Sequence, residues 1–590
     1  MLAASYASRG YRVVTQKLVQ TGCEGFPEDL LEHRRLMGCD AYRENRSGLT
    51  YSGSLDRRTS RRHWKTVGST PADFSRLPLP PSAISGRVSK VRLQNNKFHG
   101  CENRLFSRRR LWHTAPVIVI FLDFFGSFLV MKVFNTLSRQ LEEIVPLEEG
   151  HIRLYTCGPT VYNAAHIGNF RTYVFEDLLR RYLKYSGFRV TQVMNLTDVD
   201  DKTIRGAMAA RISLDAYTAP FKAMFFEDLK ALNIEPAEHY PAATDHIAEV
   251  IALIERLMER GLAYKSDDGS VYFSIARFPG YGRLGHIDMA GMRAGARVAQ
   301  DEYEKENVAD FALWKAWDAD DGDVWWESPW GRGRPGWHVE CSAMSMRYLG
   351  ECFDIHTGGV DNIFPHHDDE IAQSEGATGK LFVKTWMHSA HLIVDGKKMS
   401  KSLGNFHTLR QVIERGYAGR EVRYVLLAAH YRQSLNFTFE VVEAARASLA
   451  RLDAFQDRLR EGRTTGRGLP EWAVQAATVF KASLDDDLNI SEALAGIFEM
   501  VHTGNKDLDA GRLDWSAEAV LALLARFDTV LGVLERPETA LPPEVAAMAE
   551  ARVAARAARQ WAESDRLRDA LKAAGWEVRD TPEGPKLKAI

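Results

Sequence analysis

At 590 residues, with 45% hydrophobic and 26% charged side chains and no long low-complexity tract, the chain is long enough for several globular domains, which excludes a wholly disordered or fibrous protein. Its formal net charge of −2 conceals an asymmetry: residues 1–130 carry 21 Lys and Arg against 10 Asp and Glu, and the remainder carries 55 against 68. An acidic main body excludes non-specific coating of nucleic acid by a broad basic surface and leaves local basic patches as the way to read one RNA.

Six cysteines at irregular spacing, without a terminal secretory signal, point to reduced thiols and a cytoplasmic setting. Residues 1–114 are rich in Arg, Ser and Pro, show no sustained period of 2 or 3.6, and are expected to be mostly disordered. The apolar run Ala115 to Val130 contains Asp123 and falls short of the roughly twenty residues that span a bilayer, so no membrane segment is expected. At Met131 the texture changes abruptly, and that methionine reads like a natural start. Residues 1–130 are therefore expected to be either a mis-assigned upstream start or a dispensable extension.

IRLYTCGPTV, Ile152 to Val161, reads as a buried strand ending in a Gly-Pro turn, and HIGNFRTYVFEDLLRRYLKYSG as an amphipathic helix stopped at Gly187. FRVTQVMNLTDVDDKTI adds a second strand running into an acidic turn. Strand, helix and strand in that order predict an α/β fold with a parallel sheet and ligands at its strand ends. Residues from about 207 to 335 read as a helical insertion followed by short strands, whose tryptophans 314, 317, 325, 326 and 330 are expected in a core. FDIHTGGVDNIFPHHDDE and KTWMHSAHLIVDGKKMSKSLGNF return to the strand-then-loop style and complete the sheet. From about Phe437 to Ala574 the pattern is helical.

Three short stretches carry chemistry. In FPHHDDEIAQSEG, Phe364 to Gly376, His366 and Glu370 are four apart, which puts an imidazole and a carboxylate on one helix face as two metal ligands commonly sit; a solvated, salt-bridged face is the competing reading. HIGN, His166 to Asn169, falls where the first strand meets its helix, where backbone amides favour a phosphate; a helix-capping turn is the alternative. KKMSKSLGN, Lys397 to Asn405, sets Lys398 and Lys401 three apart in a loop, where mobile ammonium groups can neutralise charge building on a leaving polyphosphate; a merely solvated loop is the alternative.

HIGN and KMSKS in that order resemble the two signature sequences of class I aminoacyl-tRNA synthetases. YTCGPTVY, NLTDVDDK, GRPGWHVECSAM and FPHHDDEIAQSE together narrow the resemblance to the cysteinyl-tRNA synthetases, from Met131 nearly to the C-terminus. The resemblance implies a class I Rossmann-like catalytic domain over 131–437 with a connective insertion. It further implies a helical anticodon-binding bundle over 438–540 and a small C-terminal element with its helix over 541–590. It implies ATP-dependent attachment of L-cysteine to tRNA(Cys) through a cysteinyl-adenylate, in a monomer. One Zn2+ per chain would be held by Cys157, Cys341, His366 and Glu370 and would select the substrate thiolate; Mg2+ would accompany ATP. His367, Asp368 and Asp369 would support that site, while His338 and Cys352 are left as structural.

By the same resemblance His166, Gly168, Asn169, Lys398, Ser400 and Lys401 would meet ATP, with His166, Asn169, Lys398 and Lys401 as the catalytic set. Asn169 departs from the family's commoner histidine. Thr197, Trp337 and Asp361 would line the cysteine pocket, Trp337 as its floor and Asp361 against the substrate ammonium. Arg552, Arg556 and Arg559 recur on one helical face, followed by Arg566 and Arg568. They would meet RNA phosphates, with Trp561 or Trp576 stacking on a base. Two alternatives stay open: a cysteine ligase that acts on a small amine, and a catalytically silent zinc and tRNA-binding paralogue.

Overall fold

In a computed structural model of the chain the described residues are 41–43, 50–52, 131–287, 310–399, 404–536, 542–581 and 584–589. The chain divides into two compact units, 1–106 and 107–590. In the first, the described residues form one antiparallel ribbon, Ala41–Arg43 with Thr50–Ser52. The expected disorder of residues 1–114 and the apolar run to Val130 otherwise lie outside the described residues, as do Ser400 and Lys401.

The second unit is organised on four parallel strands, β1 (His151–Thr156), β2 (Arg189–Met194), β3 (Phe353–Gly359) and β4 (Val383–Ser389), in the spatial order β4-β3-β1-β2. The strands are buried on both faces, as parallel sheets are, and several of their polar side chains, among them Gln192, Asp354, His356 and His388, are buried with the apolar ones. Helix α1 (Ile167–Tyr185) joins β1 to β2, α2 (Trp337–Leu349) leads into β3, and α3 (Asp368–Thr378) joins β3 to β4. β1 and β3 are neighbours although β2 follows β1 in the chain. The strand order therefore reverses between them, and it is at such a point that ligands sit beyond the carboxyl ends.

The insertion supplies helices Asp201–Ala210, Leu214–Ala231 and Ile247–Glu259, then a four-stranded antiparallel sheet built from Ala263–Lys265, Val271–Phe273, Phe311–Ala316 and Gly333–Pro335. Trp314 is buried in its core and Trp326 and Trp330 pack against it, as expected. Trp317 is not core, at 43% exposure, and Trp325 lies under the Arg332 guanidinium, 4.1 Å from the ring centroid.

Four helices follow, α4 (Phe439–Glu461), α5 (Glu471–Asp485), α6 (Ile490–Asp509) and α7 (Ala517–Leu531), and their apolar faces run without a break into the core around α1. Buried polar contacts tie the two together. The Tyr182 hydroxyl donates to Asp485 Oδ1 at 2.6 Å, and the fully buried Arg423 meets Asp177 at 2.6 Å and donates to the Leu531 carbonyl at 2.7 Å. The chain ends in α8 (Pro543–Ala557), α9 (Trp561–Ala573) and a hairpin of β5 (Trp576–Thr581) and β6 (Gly584–Ala589), with a small core of Val545, Leu571 and Trp576.

This last element corrects the expected basic stripe. Arg552 is buried and makes a bidentate pair with Asp580 at 2.8 and 2.9 Å, and Arg556 meets the same carboxylate at 3.0 Å. Arg566 pairs with Glu563, and Arg568 with Asp565. Trp576 is buried and presents no face to a base, whereas Trp561 is 59% exposed. No helix among the described residues is long and apolar enough to cross a membrane.

Candidate active site

Cys157 stands just past β1, Cys341 in the second turn of α2, His366 in a wide turn before α3 and Glu370 in its first turn. One ligand atom from each lies within 4.8 Å of all the others. The sheet makes this meeting: Cys157 N–H donates to the Thr357 carbonyl on β3, and Ser342 on α2 donates to the Glu370 carbonyl on α3. Gly158 follows Cys157 because the backbone there presses on β2's end; a Cβ would stand 1.8 Å from the Asn195 carbonyl oxygen.

The predicted His/Glu pair is present, with His366 Nε2 at 3.1 Å from Glu370 Oε1, but the face is not a solvated one: residues 366–370 are at most 3% exposed. Asp368 accepts from the Leu284 and Gly285 amides, and Asp369 from the Tyr281 hydroxyl, so these acids anchor the 281–285 loop beside the site. His338, expected to be structural, has Nδ1 at 2.8 Å from His366 Nδ1 and Nε2 at 3.3 Å from Asp369. It is a supporting partner of a candidate ligand.

Two further histidines escaped the sequence reading. His356 Nε2 lies 3.0 Å from Glu370 Oε2, and His388 Nε2 lies 2.8 Å from His367 Nδ1, whose other nitrogen is 3.3 Å from Cys157 Sγ. Cys157, His356, His367 and Glu370 thus form a second candidate ligand set that shares two members with the first. The available signal was one imidazole inside each of two predicted strands, DIHTG and WMHSA, where a buried polar side chain needs a partner.

The histidines of the two sets titrate in opposite directions. Burial holds His356 and His388 down at about 3 and drives His367 well below its ordinary value, so these three are neutral. Burial also pulls on His366, but the Glu370 carboxylate, with Cys341, outweighs it and holds the imidazole up at about 9. Of the two thiols, Cys341 is held well below the usual range by its hydrogen bond with Cys157 and by His366. Burial, with the Cys341 thiolate beside it, pushes the Glu370 carboxyl well up, and its Oε1 makes the ion-pair contact with His366 but no hydrogen bond. Two thiols, an imidazole and a carboxylate oxygen that makes no hydrogen bond, all buried and within reach of one another, fit a divalent cation that takes soft and borderline donors.

Around this cluster Trp337 stacks on the His366 ring, centroids 4.6 Å apart, and is 46% exposed. Thr197, buried past the end of β2, has its Oγ1 accepting from Asn195 Nδ2. Asp361 lies in the exposed turn after β3. Cys157, Thr197 and Asp361 therefore follow the carboxyl ends of three adjacent strands.

His166 is the N-cap of α1: its Nδ1 accepts from the Asn169 amide at 3.2 Å, while Asn169 Oδ1 accepts from the His166 amide at 3.1 Å. The capping reading is thus present, and the first turn of α1 lies beside the segment after the lysine loop. The Ile167 amide donates to the His407 carbonyl at 3.0 Å. Lys398 is exposed at the end of a short strand; Ser400 and Lys401 lie outside the described residues.

Residues 143–447 match the family model of the class I (C) tRNA synthetase catalytic domain, 479–535 that of the DALR domain, and 538–584 that of the cysteinyl-tRNA ligase anticodon binding domain. The cysteine–tRNA ligase of Protochlamydia amoebophila (strain UWE25) is 53% identical over 466 residues, covering 78% of this chain and 98% of its own length. That of Chlamydia felis (strain Fe/C-56) is 49% identical over 467 residues, with the same coverage. That of Chlamydia pneumoniae is 50% identical over 464 residues, again covering 78% and 98%. The catalytic family model spans the parallel sheet with its thiol-imidazole-carboxylate cluster, the bundle and terminal element have their own matches, and the chain belongs to the cysteine–tRNA ligase family of class I synthetases.

Proposed function

We propose that the chain attaches L-cysteine to tRNA(Cys) in two steps. The cysteine carboxylate attacks the α-phosphorus of ATP, and the bond to the β-phosphate breaks to release pyrophosphate. A ribose hydroxyl of the tRNA's terminal adenosine then attacks the acyl carbon and AMP leaves. The single observation that carries this reading is the convergence of Cys157, Cys341, His366 and Glu370 at the strand ends of a class I catalytic domain.

Those four residues would hold one zinc ion, which, when bound, supplies a soft Lewis acid that takes a substrate thiolate and discriminates against the harder, poorly ionised hydroxyl of serine. Cysteine and serine differ by one atom, and pocket shape at that scale discriminates only about 10 to 200-fold, below the ~10⁴ that translation needs. Trp337 would floor the cysteine pocket, Thr197 would border it, and the Asp361 carboxylate would pair with the substrate ammonium. His166, Gly168 and Asn169 would meet the ATP phosphates at the α1 N-terminus. Asn169, its Oδ1 engaged in the cap, would offer the amide N–H donors but no charge. Lys398, Ser400 and Lys401 would meet the pyrophosphate as it leaves with its magnesium.

Domain limits of 131–437, 438–540 and 541–590, a monomeric state and a cytoplasmic site of action belong to the same reading. Arg559, exposed between α8 and α9, and Trp561, exposed at the start of α9, are the members of the C-terminal basic region best placed for RNA. Neither alternative gains support: a ligase acting on a small amine has no use for the matched DALR and anticodon-binding regions, and the intact motifs count against a silent paralogue.

The test is transfer of labelled cysteine, and separately of serine, to total tRNA by the purified protein with ATP, magnesium and zinc. RNase-sensitive cysteine incorporation without serine is the expected outcome. Cysteine-dependent pyrophosphate exchange without charging would move the acceptor to a small amine, and loss of both activities would leave the silent paralogue.

A further inference from the structure

The segment after the lysine loop touches both nucleotide motifs at once. Leu392–Val394 pairs antiparallel with Lys397–Lys398, setting Ile393 opposite Lys398 and Val394 opposite Lys397. Asn405, buried, returns against this ribbon: its Nδ2 donates to the Lys398 carbonyl at 3.2 Å and to the Val394 carbonyl at 3.5 Å. Its neighbours hold the other motif. The Phe406 ring meets the His166 ring edge-on with centroids 5.0 Å apart, and the His407 carbonyl accepts the Ile167 amide. Across the gap Met399 lies against the bare face of Gly168, where an added Cβ would stand 2.9 Å from the methionine methyl.

We propose that Asn405 is a positioning residue for pyrophosphate departure: its carboxamide ties the Lys398 backbone to the strand beneath and so keeps the Lys398 ammonium in register with the phosphate-facing turn at His166. This rests on the assignment of Lys398 to the leaving pyrophosphate. The chemistry asks for a carboxamide because one planar NH2 group presents two donors to two carbonyl oxygens. A carboxylate offers none and an alkyl group neither donates nor accepts. Placement matters because the lysine acts by charge on oxygens that become negative only as the α,β-phosphate bond breaks, and a misplacement of about 1 Å costs on the order of 100-fold in rate.

The two steps of the reaction provide the test, since pyrophosphate leaves only in the first. Single-turnover adenylate formation, and transfer to tRNA from adenylate already formed on the enzyme, would be measured for Asn405→Ala, Asn405→Asp, Lys398→Ala and the double variant Asn405→Ala/Lys398→Ala. The expected result is adenylate formation slowed about tenfold or more in both Asn405 variants, the loss expected when buried hydrogen bonds that orient a charged group are removed. Transfer stays within twofold of the parent and the thermal midpoint within about 2 °C of it, and the double variant is no slower than Lys398→Ala alone. Equal slowing of both steps, an unchanged first step, or additive losses in the double variant would each overturn the proposal. If Lys398→Ala itself forms adenylate at the parent rate, the pyrophosphate assignment fails first and takes the Asn405 role with it.

Discussion

Glu370 is fully buried with one oxygen lacking a hydrogen bond, a placement that costs several kcal/mol unless positive charge meets it. His366 meets it in part; a divalent cation would meet it fully and let Cys341 and Glu370 both carry charge. Cys341→Ser replaces a thiolate by a neutral, harder hydroxyl. The expected outcome is zinc affinity at least 100-fold weaker by chelator competition, with loss of preference for cysteine over serine in pyrophosphate exchange. His338 acts at one remove: its contacts with His366 and Asp369 fix the imidazole's orientation. His338→Ala is expected to weaken zinc binding by about 10 to 100-fold, measured by the same competition, while leaving the far-ultraviolet circular dichroism unchanged. Unchanged zinc affinity in the folded variant would show that His338 only packs.

At the scale of elements, the terminal hairpin is held to α8 by a side-chain clamp and a core of a few residues. Hydrogen bonding from Arg552 holds the Asp580 carboxyl below the usual carboxylate range. Because the folded value is depressed, the clamp contributes in full above the unfolded value of about 4 and its contribution is lost as the pH falls through the depressed value. Asp580→Asn removes it at every pH. Hydrogen exchange of β5 and β6 amides is expected to quicken in that variant at pH 7 while the amides of β1 and β3 stay protected. Uniform exchange rates in variant and parent would mean that the small core around Trp576 suffices.

Across the whole molecule α1 is the shared member. Its nineteen residues, about 28 Å at 1.5 Å per residue, start at the His166 cap with Asn169 in the first turn, and further along Arg181 donates to the Thr529 carbonyl of the bundle, Tyr182 to Asp485, and Asp177 meets Arg423. Arg423, with no exposed surface, is compensated by Asp177 and by backbone carbonyls of Leu232, Asn233 and Leu531. Asp177→Asn strands a buried guanidinium. It is expected to lower stability by about 3–5 kcal/mol in urea unfolding followed by circular dichroism, far more than loss of an exposed pair would. A change under 1 kcal/mol would mean that the carbonyls alone satisfy Arg423.

The order of strand, helix and strand, the helical run after Phe437 and the pairing of His366 with Glu370 were legible in the sequence, because periodicity and i,i+4 spacing are local and repeat along the chain. So were the HIGN and KMSKS stretches and the residue types that could bind a metal. What only the tertiary structure decided is which groups lie together and which are buried. His356 and His388 join the cluster because β3 and β4 are neighbours in register, a relation between residues far apart in sequence. His338 reaches His366 because α2 packs on α3, and Arg552 is withdrawn from the apparent basic stripe because Asp580 on a later hairpin claims it. Helical spacing marks a face but says nothing of its partner, and burial, charge compensation and ligand geometry depend on that partner.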